Sequence, residues 1–157
     1  MDVDYKGLYH RLLPLARVVA PRGVDGSDLV QEAFTRALAR HPDLRGVRDP
    51  SAYLSVTVMN TARSWGTRAS RRARLEVAQT EQSAPAADEG DTVEILMQLP
   101  PRQRACLYLR FVEDLGVSEV AQRLGCSTGT VKSQTSKALT ALRQVLEDDH
   151  DYGGRIA

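Results

Sequence analysis

The stretch VSEVAQRLGCSTGTVKSQTSKALTALRQVL, residues 117–146, admits few folds. Val120, Ala121 and Leu124 recur at helical spacing, as do Val131, Ala138, Leu142 and Val145, and a Gly-Cys-Ser break separates the two runs. Gly125 can take a positive backbone angle, and small Ala121 lets two helices cross closely, so the spacing predicts a helix-turn-helix. Its second helix carries no acid until Glu147, although Asp or Glu at a helix start would complement a partial positive charge of roughly half a unit. Its outer side is Thr130, Lys132, Ser133, Gln134, Ser136 and Lys137. Such side chains suit base edges and phosphates in a major groove. With Ser127 and Thr128 as caps, the acid-free start is expected to receive a DNA phosphate, which a carboxylate would repel. An unconstrained surface helix would use Glu and Lys rather than weaker helix formers.

Charge is divided along the chain. Residues 1–75 hold 13 Lys and Arg against 7 acids, residues 76–99 hold none against 6, and residues 100–147 hold 7 against 4. Two basic blocks flanking an acidic connector suggest polyanion partners for the blocks. The connector EVAQTEQSAPAADEGDT, 76–92, lacks apolar periodicity and reads as an extended linker. Before it, LYHRLLPLARVVA, DLVQEAFTRALARH and SAYLSVTVMNTARSWGTRASRRAR predict three helices. Pro14 is expected to kink or restart the first, Ser27 to cap the second, and Asp49-Pro50-Ser51 to open the third. After the connector come TVEILMQL, a helix from about Pro101 to Val112, and the helix-turn-helix. The fold expected is all-α: two small helical domains joined by an acidic flexible linker. The divisions are 1–75, linker 76–98, 99–147 and an acidic tail 148–157.

In the third helix Leu54, Val58, Ala62, Trp65 and Ala69 form a core stripe. A second stripe is Asn60, Arg63, Ser64, Thr67, Arg68, Arg71 and Arg72, able to grip phosphates and offer amide or guanidinium groups to bases. DLVQEAFTRALAR mixes apolar positions with Asp28, Gln31 and Glu32, the look of a docking surface. No apolar run nears the roughly 20 residues that span a bilayer, and MDVDYKGLYH has acids where a secretory signal is basic, so a cytoplasmic protein is expected. Cys106 and Cys126 are too few for a zinc cluster, and His10, His41 and His150 have no nucleophile motif or phosphate loop near them. Neither a metal, a cofactor nor an active site is expected.

DLVQEAF at 28–34, DPSAYL with NTARSWGTRASRR at 49–72, and LPPRQRACLYLRFVEDLGVSEVAQRLGCSTGTVKSQTSKALTALR at 99–143 stand in the order found in bacterial extracytoplasmic-function (ECF) sigma factors, which the chain resembles over nearly its whole length. The wording is most similar to the compact actinobacterial subgroup. The resemblance implies that Asp28, Leu29, Val30, Gln31, Glu32 and Phe34 dock on the β′ clamp helices of RNA polymerase core. It implies that the loop from Asp43 to Asp49 holds a flipped-out base and that Asn60, Arg63, Arg68, Arg71 and Arg72 engage the melting minus-10 DNA. Ser127, Thr128, Thr130, Lys132, Ser133, Gln134 and Lys137 would read the minus-35 duplex from a domain seated on the β flap. The acidic linker would thread a basic RNA channel, and an anti-sigma factor is an open possibility as a further partner. Ser64, Gln134-Thr135 and Lys137 depart from the family's frequent Asp, Arg-Leu and Arg, and the loss of arginines at 134 and 137 weakens guanine recognition there. A stand-alone helix-turn-helix regulator and a helical protein-interaction adaptor are the alternatives.

Overall fold

The computed structural model describes residues 2–77 and 91–153, and every regular element among them is helical. Helix α1 (Tyr5–Val19) starts where the Asp4 carboxylate accepts from the Gly7 amide at 2.9 Å. The helix runs unbroken through Pro14, so the proline does not restart it. Burial of Leu8, Leu12, Leu15, Ala16 and Val19 on one face outweighs the single hydrogen bond the proline removes.

Helix α2 (Gly26–Arg40) is capped by Asp25 rather than by Ser27. The Asp25 carboxylate accepts from both the amide and the hydroxyl of Ser27, each at 2.9 Å, and these bonds hold its pKa below the usual value. Gly26 lies against α1 so closely that a Cβ there would meet the Arg17 backbone nitrogen at 2.9 Å. Helix α3 (Pro50–Val77) opens as expected, with Asp49 accepting from the Ala52 amide at 3.1 Å. Its β-branched run stays helical. Thr57 and Thr61 return their hydroxyls to the carbonyls four residues back, at 2.9 and 2.7 Å, which satisfies the half-buried Thr57 and the fully buried Thr61.

Helix α4 (Asp91–Gln98) falls within the span expected to be linker, while 78–90 lies outside the described residues. Helix α5 (Pro101–Leu107) begins with proline at its first position, where the missing amide costs nothing, and runs into a π-helical turn, Tyr108–Val112, closed by Glu113 N to Tyr108 O at 3.1 Å. Helices α6 (Val117–Leu124) and α7 (Thr128–Gly153) complete the chain. Gly125 between them is left-handed at φ +66°, as the turn required.

The two blocks share one apolar core. Leu12, Leu29, Leu54 and Val58 from the first are continuous with Cys106, Leu109, Val120 and Val131 from the second. Two details describe the seam. Arg104 on α5 is only 5% exposed and donates to the carbonyls of Val18 and Val19 at the end of α1 (2.9 and 3.0 Å) and of Met97 and Leu99 at the end of α4 (3.2 and 2.7 Å). A buried cation would cost several kcal/mol without such partners, and helix C-terminal carbonyls, carrying partial negative charge, are suited to receive it. On the other side Val56 of α3 sits on the helix-turn-helix turn, where a Cβ on Gly125 would lie 2.5 Å from its Cγ2.

Candidate nucleic-acid interface

The α6–α7 turn is built from its caps outward. Gly116 N donates to Glu119 at 3.3 Å to start α6, whose Val120, Ala121 and Leu124 are buried. Ser127 Oγ accepts from the Thr130 amide at 3.1 Å and pairs with the Thr130 hydroxyl at 2.9 Å, which starts α7. Val131 and Ala138 turn inward and are fully buried. The opposite side is therefore presented to solvent: Ser127, Thr128, Lys132, Ser133 and Lys137 are exposed, and Thr130 and Gln134 are half-buried. The first turn of α7 contains no acid. Apart from the Thr130 amide held by Ser127, the first-turn amides carry a partial positive charge that no nearby carboxylate offsets, the arrangement that accepts phosphate.

A second surface runs along α3. Leu54, Val58 and Ala62 face the core and Trp65 packs against it, which turns Asn60, Arg63, Arg68, Arg71 and Arg72 outward, all exposed. The side chain of Ala69 lies outside the described residues. Asn60 also lines a cleft of about 330 Å³ between α2 and α3, with Arg36, Arg40, Tyr53 and Thr57. His41, which ends α2 just beyond Arg40 of this cleft, meets Tyr53 edge-on at 5.3 Å between ring centroids, and the loop expected to hold a base, Asp43 to Asp49, follows it in the chain.

On α2, Asp28 and Gln31 are exposed and Glu32 and Phe34 half-buried. Leu29 and Val30 are at 0% exposure, which corrects the expectation for these two: their side chains brace the helix from within the core and present no surface. Glu32 pairs with Arg36 at 3.0 Å, one turn on.

The chain matches the sigma-70 region 2 family over residues 5–72 and the sigma-70 region 4 family over residues 95–144. It is 37% identical to the RNA polymerase sigma-E factor of Streptomyces avermitilis over 145 residues, 87% of this chain and 79% of that one. The chain belongs to the ECF group of RNA polymerase sigma factors. The ECF sigma factor SigM of Mycobacterium tuberculosis is 30% identical over 92% of the chain and 76% of its own length. In fold, the chain is similar to the sigma factor RpoE of Bartonella quintana, solved in complex with the anti-sigma factor NepR, at TM-score 0.59 and 23% identity over 90% and 93% of the two chains.

The sigma factor also presents groups that sequence reasoning did not single out. Arg110 and Arg143 share a cleft of about 300 Å³ with Lys132 and Ser136, placing three cations together along α7. Arg110 is aimed there because its guanidinium donates to the Leu115 carbonyl at 2.9 Å, a partner created by the π-helical turn and by the left-handed Asp114 at φ 54°. Arg143 could have been found from its spacing of one helical repeat of eleven residues beyond Lys132. A third cleft, about 380 Å³ and almost wholly apolar, opens between Leu96, Leu107, Phe111, Leu139 and Leu142, with Arg17 and Val18 of α1 on one side. Phe111 and Val112 stand 60% and 70% exposed at it. Among the described residues no group of His, Cys, Asp and Glu could hold a metal ion, and no helix is long and apolar enough to cross a membrane.

Proposed function

We propose that this sigma factor directs RNA polymerase core to promoters through two separate DNA contacts and has no catalytic centre of its own. The observation that carries the reading is the pairing, in one chain, of an α7 whose solvent-facing side carries no acid before Glu147 with an exposed cationic stripe on α3. The α7 side, Ser127, Thr128, Thr130, Lys132, Ser133, Gln134 and Lys137, would read the minus-35 duplex, with Arg110 and Arg143 adding phosphate attraction from the adjoining cleft. The α3 stripe, Asn60, Arg63, Arg68, Arg71 and Arg72, would hold the minus-10 strand as it opens. A base leaving the stack would be held by the 43–49 loop, with the neighbouring α2–α3 cleft offering the Tyr53 ring and the Asn60 amide.

The domain divisions remain 1–75, 76–98, 99–147 and 148–157, with α4 as a folded part of the second span. Asp28, Gln31, Glu32 and Phe34 would form the clamp-helix contact, supported from below by Leu29 and Val30. The apolar cleft at Phe111 and Val112 has the character of a seat for the β flap, because exposed aromatic and branched side chains around a groove favour an apolar partner. Transcription initiation by core polymerase with and without the chain, with sequencing of the 5′ ends, tests the proposal. New start sites that depend on the chain are expected. Identical start sites in both reactions would sink it.

A further inference from the structure

We propose that Asp2 and Tyr5, at the amino-terminal end of α1, are positioning residues that hold the 43–49 loop in the shape needed to capture a base. The proposal rests on the base-capture reading of that loop.

The loop has little else to fix it. Leu44 is its one fully buried side chain, in the left-handed conformation at φ 55° that a branched residue adopts only under constraint, and Val47 is half-buried. Asp43, Arg45, Gly46, Arg48 and Asp49 face solvent. Among the described residues, the hydrogen bonds from this loop to a distant part of the chain go to residues 2 and 5. The Tyr5 hydroxyl donates to the Asp43 carbonyl at 2.9 Å, and Arg45 donates to the Asp2 carboxylate at 3.2 Å. The two ties meet at one point, since the Asp43 carboxylate also accepts from the Arg45 amide at 3.1 Å. They therefore clamp both sides of the strained Leu44.

Little of this serves general stability. The Asp2 and Arg45 side chains are 96% and 65% exposed, and an exposed ion pair contributes little to folding. The Tyr5 ring, 42% exposed, packs against Phe34 at 6.4 Å, a contact that phenylalanine would keep. What the ties do supply is order in an otherwise solvent-facing loop. A loop arranged before the base arrives loses less conformational entropy on capture and discriminates better between bases.

The test uses the full chain with core RNA polymerase on promoter fragments randomised through the minus-10 element, sequencing the transcripts to obtain a base-preference profile. Tyr5→Phe and Tyr5→Phe combined with Asp2→Asn should flatten the preference at the captured position by about threefold, the effect of one modest hydrogen bond, with core affinity and thermal midpoint unchanged. With Tyr5 retained, Asp2→Asn should flatten the preference, and Asp2→Glu, which keeps a carboxylate for Arg45, should preserve most of it. Deletion of Gly46 serves as the control for the loop itself. If that deletion leaves the profile unaltered, the base-capture reading fails and the brace with it. If the deletion reshapes the profile while the Tyr5 and Asp2 variants do not, the brace alone is overturned. Loss of yield or stability with an unaltered profile would likewise overturn it, by showing a structural role.

Discussion

Lys132 stands in solvent on α7, one residue beyond the buried Val131, and borders the cleft shared with Arg110 and Arg143. Each cation that meets a phosphate releases a counterion, so its removal should weaken binding and flatten the salt dependence together. Lys132→Ala is expected to lower promoter use across all sequences and to reduce the salt slope by about 1, leaving association with core intact. A potassium chloride titration of promoter binding by the holoenzyme checks it. The two cysteines should differ as sharply. Burial, with the neighbouring Cys126 adding to it, pushes the Cys106 thiol up from 9.0 to about 11, whereas Cys126 is half-buried at the turn. Alkylation at pH 8 should therefore modify Cys126 first, and mass mapping would show it. The same shift has a stability consequence with a definite sign. The folded state binds the Cys106 proton more tightly than the unfolded one, so this group's contribution is full below pH 9 and is lost as pH rises toward 11.

The helix-turn-helix was legible because its signals are local: an apolar repeat, a small crossing residue and a glycine where the chain must reverse. Gly125 carries a second demand that sequence could not show, the contact with Val56 of α3. Gly125→Ala meets both a positive φ and a Cβ only 2.5 Å from Val56 Cγ2, and should destabilise the fold by roughly 1–3 kcal/mol. Urea denaturation is the measurement. Val56→Ala in the same chain should recover part of that loss, because neighbouring substitutions are not additive. Other elements were misread for want of tertiary information. Pro14 looked like a break because the burial that carries α1 through it comes from other helices. Ser27 looked like the cap of α2 because Ser and Asp are equivalent there on paper, and only geometry shows which accepts. Leu29 and Val30 were grouped with their polar neighbours by resemblance, although their apolar character alone pointed inward. Arg104 gave no signal at all, since its acceptors at Val18 and Val19 lie 86 and 85 residues away.

At the scale of the whole molecule, the shared core conflicts with simultaneous contact at two promoter elements. About 25 base pairs separate the centres of minus-10 and minus-35 elements, which is roughly 85 Å at about 3.4 Å per pair. A compact chain of this length spans about 40 Å. Under the proposed contact with both elements, the seam between the blocks would have to part, exposing Val56 and freeing the α1 end from Arg104. Spin labels at Lys6 and Gln144, exposed on α1 and α7, should report one short distance in the isolated chain and a much longer one in the promoter complex. Arg104→Gln should shift the isolated chain toward the longer distance, because a neutral amide has too few donors for four carbonyls.

The way Arg104 is held decides which conditions can work that clasp. Its acceptors are main-chain carbonyls, which have no proton to gain as the medium acidifies, and the guanidinium keeps its charge at any physiological pH. The bonds to Val19 and Leu99 are buried, which shields these two from dissolved ions. Acid therefore has no handle on this clasp through Arg104 or its acceptors. Release is left to something that competes for the greasy surfaces on either side, so the folded chain responds to the company it keeps more than to the fluid around it.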